Sequence, residues 1–181
     1  FWDAWIPEDT MKERIEEDKV PYDKWAAEGW ITPTPGRTIA HRRIFERIGE
    51  YKSLYKIKEL PFDISFATML VTEIQEDLGL TVTEALQTYQ ALTDPRNQVE
   101  SFCREKLLTH EPNPGARWCF GNTSISKNGN AQLKYVKERK GKGLDRTKRI
   151  DLTVTLILAM QRARFYNTSN LDAILSDDWG M

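Results

Sequence analysis

The chain has 181 residues, with 26 Lys and Arg against 27 Asp and Glu, and 40% hydrophobic against 29% charged residues. That balance suits one folded domain and excludes a disordered or fibrous chain. The longest apolar run, residues 152–160, is interrupted by Thr153 and Thr155 and falls well short of the roughly 18 residues a membrane span needs. The opening Phe1-Trp2-Asp3-Ala4-Trp5 has no basic-then-apolar leader, and Cys103 and Cys119 are too few for a disulfide scaffold, which reads as a reducing, intracellular setting.

Residues 1–7 read as the end of an extended segment closed by Pro7, followed by a short helix over 8–18 and a second over 22–28 that stops at Gly29. Thr32-Pro33-Thr34-Pro35-Gly36 is a connector no helix can cross. Helical spacing of Ile44, Phe45, Ile48, Tyr51 and Tyr55 predicts an amphipathic helix over 39–55, then a strand over 56–62 whose end delivers Asp63. A second amphipathic helix over 65–78 ends at Gly79, a strand follows over 81–88, and Asp94-Pro95 reads as the start of a helix to about 108. This alternation is the grammar of an α/β sheet with crossover helices. Beyond it, residues 110–121 read as a loop, 131–137 as a strand, 140–148 as a basic loop, and 150–166 as a helix apolar almost all round, packed between layers. Residues 167–181 form a polar, acidic, loosely ordered tail, so the folded domain is residues 1–166.

Charge is unevenly placed. Residues 1–23 hold eight acidic and three basic side chains. Residues 134–149 hold eight basic ones, Lys134, Lys137, Arg139, Lys140, Lys142, Arg146, Lys148 and Arg149, against Glu138 and Asp145. That run is either a solvated surface or a seat for a polyanion.

Asp63, at a strand's C-terminal end, occupies the rim where open α/β sheets place ligands. Asp151 lies in the first turn of the most buried helix. Together they are oxygen donors suited to a hard cation, although Asp63 also reads as an N-cap and Asp151 as a charge offsetting the helix dipole. A zinc site is excluded because His41 and His110 have no Cys-x-x-Cys to join them. No phosphate loop or Gly-x-Ser-x-Gly elbow occurs, and Ser124 and Ser126 have no base.

The ordered set Trp5-Ile6-Pro7-Glu8, Tyr22-Asp23-Lys24-Trp25 with Gly29, Thr34-Pro35-Gly36, Phe62-Asp63, Gln87-Thr88-Tyr89, His110 with Asn113-Pro114, Trp118, Gly121-Asn122 and Arg149-Ile150-Asp151 resembles the large terminase subunit of tailed bacteriophages, specifically its nuclease half, from about Trp5 to Ala163. The resemblance implies a ribonuclease H-like α/β fold, a mixed central sheet flanked by helices, that cuts double-stranded DNA during packaging with two Mg²⁺ or Mn²⁺ ions held by acidic residues. Asp63 and Asp151 match two of the family's catalytic, metal-binding carboxylates, and the basic residues of 134–149 would hold the DNA backbone. The family's first aspartate, on an earlier strand in a Leu-Asp-Leu-Ser-like motif, has no counterpart, and no ATPase half is present. The expectation is therefore a fragment lacking the first strand or two, with weak metal binding and little or no cleavage. By the same resemblance its partners are double-stranded DNA, a terminase ATPase domain, a small subunit and a portal, in the cytoplasm of the bacterial host.

Two rival readings stand beside this one. The first is a non-catalytic module that grips DNA or docks to a motor or portal through the acidic tail. The second is another ribonuclease H-like nuclease or a resolvase. A strand edge left unpaired near residues 56–62 further predicts a dimer or swapped oligomer.

Overall fold

A computed structural model describes residues 1–63, 68–137, 139–140, 143–145 and 147–166. The chain opens with strand β1 (Trp5–Pro7), which runs directly into helix α1 (Glu8–Asp18), whose first turn carries Glu8 and Asp9 where the helix dipole favours negative charge. α1 ends on Lys19 in the left-handed region at φ 58°. Helix α2 (Tyr22–Ala27) follows, and Gly29 at φ +79° turns the chain into β2 (Thr32–Thr34), parallel to β1 with Trp5 opposite Thr32. The Pro-rich connector is thus also a short strand.

Helix α3 (His41–Leu54) lies within the predicted 39–55 window. Its Ile44, Phe45 and Ile48 pack against Leu70, Ile74 and Leu80. β3 (Leu60–Phe62) pairs in parallel with β4 (Val82–Glu84), and α4 (Thr68–Glu76) joins them. The start predicted for this helix at Ser65 lies outside the described residues.

Helix α5 (Tyr89–Arg104) corrects the reading of Pro95 as a helix start. The helix begins earlier, where Thr88 Oγ1 accepts a hydrogen bond from the Ala91 N–H, and Pro95 lies buried inside it. A proline cannot donate to the carbonyl four residues back. That carbonyl belongs to Ala91, and Gln161 Nε2 donates to it at 3.2 Å while also reaching the Leu86 carbonyl at 3.0 Å. A side chain from another helix replaces the missing donor.

Helix α6 (Pro114–Gly121) stands where a loop was expected. Asn113 caps it through Oδ1, which accepts from the Ala116 N–H at 3.0 Å, and Pro114 takes the first helical position. β5 (Thr123–Lys127) and β6 (Leu133–Lys137) form an antiparallel hairpin, followed by the short pair β7 (Arg139–Lys140) and β8 (Gly143–Leu144). The chain closes its described part with α7 (Asp151–Ala163).

Leu92 and Val99 of α5 pack against Ile157, Leu158 and Met160 of α7, each side chain contributing about 1.5–3 kcal/mol by leaving water. A second core gathers Ile6, Trp25 and Ile31 with Trp118 and Tyr22 against them. α7 is buried or half-buried except along Asp151, Thr155, Ala159 and Ala163, an exposed stripe at four-residue spacing. It is therefore not apolar all round.

Parallel and antiparallel pairs coexist, as expected of a mixed α/β fold, but the described strands form four two-stranded sheets and no continuous central one. β1 and β3 each have a single partner among the described residues.

Candidate active-site cleft

β3 is short and ends in Phe62, so Asp63 emerges exposed at its C-terminal rim. Gln87, just past β4, donates from Nε2 to Asp63 Oδ2 at 2.5 Å. Across from them stands the open stripe of α7. Asp63, Gln87, Asp151 and Thr155 line one cleft of about 600 Å³, with Glu59 through Phe62 along its β3 wall. The two carboxylates singled out in the sequence thus face a shared space, although 88 positions separate them in the chain.

Asp151 also borders a second hollow of about 420 Å³ on the other flank of α7, walled by Asp3, Trp5, Trp25, Trp118 and Arg149. Two residues before it, Arg149 belongs to a network around a buried carboxylate. Arg149 donates from Nε to Asp18 Oδ2 at 3.0 Å and from Nη2 to Asp18 Oδ1 at 3.1 Å, and the Asp18 side chain has 0% exposure. Tyr22 Oη donates to the same Oδ2 at 2.8 Å. Burial, reinforced by this bond to a carboxylate, pushes the Tyr22 phenol far above its ordinary range. Buried Asn122 donates from Nδ2 to the Arg149 carbonyl at 3.1 Å.

The basic run divides. Lys134 and Lys137 are three apart on β6 and so point to opposite faces. Lys137 shares a surface hollow with Arg14, Thr147 and Arg149. Arg139 and Lys140 form β7, Lys148 is half-buried, and Lys142 and Arg146 lie outside the described residues, as does the tail over 167–181. Arg149 turns inward to Asp18.

Asp18 and the structural part played by Gln87 were not legible beforehand. Asp18 ends an acidic surface-type helix, and its partner is 131 positions away.

The family model for the terminase large subunit, endonuclease domain, matches residues 4–167. The chain belongs to this family. It is 29% identical over 169 residues to protein YmfN of Escherichia coli (strain K12), covering 90% of this chain and 35% of that protein. It is 24% identical over 171 residues to the terminase large subunit of Enterobacteria phage HK97, covering 90% of this chain and 32% of that one. The crystal structure of the HK97 bacteriophage large terminase superposes with a TM-score of 0.73 at 24% identity, over 88% of this chain and 33% of that chain, which shows the ribonuclease H-like α/β fold. This terminase endonuclease-family chain therefore spans about a third of the length of the curated relatives it matches. No helix of its described residues is long and apolar enough to cross a membrane.

Whether the cleft suits a divalent cation can be judged from its donors. Mg²⁺ keeps several waters and is commonly held by one or two carboxylates together with substrate phosphate oxygens. Two exposed carboxylates on facing walls, one braced by an amide, fit such a hydrated ion. No set of three acidic, His or Cys side chains gathers among the described residues.

Proposed function

We propose that this domain is the metal-dependent endonuclease part of a phage or prophage terminase and cuts double-stranded DNA during genome packaging. The observation that supports it is the convergence of Asp63 and Asp151 on one cleft in a chain of the terminase endonuclease family. Asp63 and Asp151 would hold Mg²⁺ or Mn²⁺. When bound, the ion supplies a water of lowered pKa and positive charge beside the scissile phosphate. Gln87 holds the Asp63 carboxylate, and Lys137 with Arg14 takes backbone phosphates, so recognition depends on salt more than on sequence. A two-ion site needs a further carboxylate, so metal binding by this chain alone is weak and its cleavage slow. The ATPase domain, small subunit and portal of a packaging motor are the proposed partners, with the bacterial host cytoplasm as the setting.

Supercoiled plasmid incubated with the chain and Mn²⁺, beside Asp63→Asn and Asp151→Asn, tests the assignment, with Mn²⁺ binding followed by electron paramagnetic resonance. We expect Mn²⁺ binding and any nicking to be lost in both variants. Undiminished nicking by both would sink the site. The third carboxylate lining the cleft, Glu59, is paired with Arg162, which favours one rival, a DNA-gripping or motor-docking module. Duplex binding unaffected by Mn²⁺, with no nicking, would support it.

A further inference from the structure

We infer that Arg149 is a positioning residue, which sets the place of Asp151 through a buried clamp and takes no part in holding DNA. The inference rests on the metal-site reading of Asp151 and adds to it the device that aims this carboxylate. Three observations carry it.

First, both guanidinium bonds of Arg149 go to one carboxylate, in the fork-on-fork geometry that only arginine can offer. The Asp18 side chain is wholly shielded from water, so releasing Arg149 toward a phosphate would leave a buried charge without a partner. Glu17 Oε2 lies 4.0 Å from Arg149 Nη2 as well, so the cation faces two carboxylates before any DNA arrives.

Second, the main chain at Arg149 is tied down at the same place as its side chain. Asn122, 3% exposed at the end of α6, donates to the Arg149 carbonyl. The next residue, Ile150, is 8% exposed, and its carbonyl accepts the Val154 N–H at 2.9 Å, starting the ladder of α7. The path from clamp to helix is two residues long, half-buried at Arg149 and buried at Ile150.

Third, no side-chain cap braces the start of α7, although Thr155 Oγ1 donates to the Asp151 carbonyl at 2.9 Å. Ile150 occupies the N-cap without a side-chain capping bond, and Asp151 itself is exposed. Its height over the cleft therefore follows from where α1, α2 and α6 hold the preceding residues. Tyr22, Asn122 and Arg149 come from separate stretches of the sequence and meet only here.

The test compares Arg149→Lys, which keeps the charge and loses the fork, with Tyr22→Phe, which removes one hydroxyl, and with Leu70→Ala, a core change in the α3–α4 cluster that lowers stability elsewhere. Three quantities are read on the whole chain: amide hydrogen exchange at residues 150–154 without metal, Mn²⁺ affinity without DNA, and duplex affinity without metal. We expect Arg149→Lys to weaken Mn²⁺ binding about 10-fold or more, the effect usual for residues that orient metal ligands. Exchange at 150–154 should quicken selectively, duplex affinity should hold within about twofold because no phosphate contact is lost, and Tyr22→Phe should shift the first two readouts the same way by less. Leu70→Ala should leave Mn²⁺ affinity unchanged. Loss of duplex affinity in Arg149→Lys with exchange at 150–154 unaltered would overturn the inference and make Arg149 a phosphate contact. If the wild-type chain binds no Mn²⁺, the metal reading fails, while exchange at 150–154 still decides whether Arg149 fixes the start of α7.

Discussion

On the α7 wall of the cleft, Asp151 follows half-buried Arg149 and buried Ile150, and the clamp on Arg149 joins residues 131 positions apart in the chain. On the β3 wall, Asp63 leaves a three-residue strand whose one partner among the described residues is β4, and it accepts an exposed hydrogen bond from Gln87. The residues just before Asp151 are tied to a buried ion pair, whereas Asp63 itself accepts an exposed hydrogen bond. Burial makes a bond costly to break because the released groups have no alternative partner. A bond at the surface is exchanged for one to solvent with little loss. The two walls should therefore answer differently to the same kind of substitution.

The largest effect should come from the α7 side. Asp18→Asn removes the buried half of the Arg149 ion pair, and thermal or urea denaturation should show a loss of about 3–5 kcal/mol. A loss no greater than that of an ordinary surface substitution would erase the contrast between the walls.

Glu59, at the foot of the β3 wall, sharpens the comparison because it is the buried exception on that side. Its carboxylate meets Arg162 Nε at 2.7 Å and is 3% exposed. Burial alone would raise its pKa, but hydrogen bonds from Thr83, Arg162 and Tyr166 outweigh that and hold it below the ordinary value of 4.5. A depressed folded value means that the stabilisation is present above the unfolded pKa and drains away as pH falls through the folded one. Glu59→Gln should cost about 1–3 kcal/mol at neutral pH. Its stability should also decline less steeply than that of the wild type below about pH 4.5, as followed by acid titration of circular dichroism.

The smallest stability effect belongs to Gln87→Leu, expected within about 0.5 kcal/mol because the bond is exposed. If Gln87 orients Asp63 for a cation, Mn²⁺ affinity should still fall severalfold. A variant that loses stability without losing Mn²⁺ affinity would reverse this assignment.

What the sequence revealed follows from how local each signal is. Apolar spacing found α3 and an almost unbroken apolar run found α7, while the strand read over 56–62 is confined to Leu60–Phe62. α6 went unread because Asn113-Pro114-Gly115 looks like a turn, although Asn at the cap and Pro at the first position are also how helices begin. α5 was started too late because Pro95 was taken as a first residue, when its missing N–H is made good by Gln161 from another helix. β5 carries a lone large apolar residue, Ile125, in a polar strand, so no alternation marks it. In the site, carboxylates at element ends signalled Asp63 and Asp151. Asp18 gave no such signal, since an acidic residue closing an acidic helix looks solvated until its partner from the far end of the chain is known. The same lack of distance information let Arg149 pass as one more cation in a basic run.

The substitute hydrogen bond at Pro95 also acts as a ruler. Gln161 lies ten residues beyond Asp151, about 15 Å along the helix axis, and its amide grips two carbonyls at the head of α5. α7 cannot slide or screw past α5 without surrendering both grips, so the elevation of Asp151 above the β3 rim is gauged at a point far from the carboxylate itself.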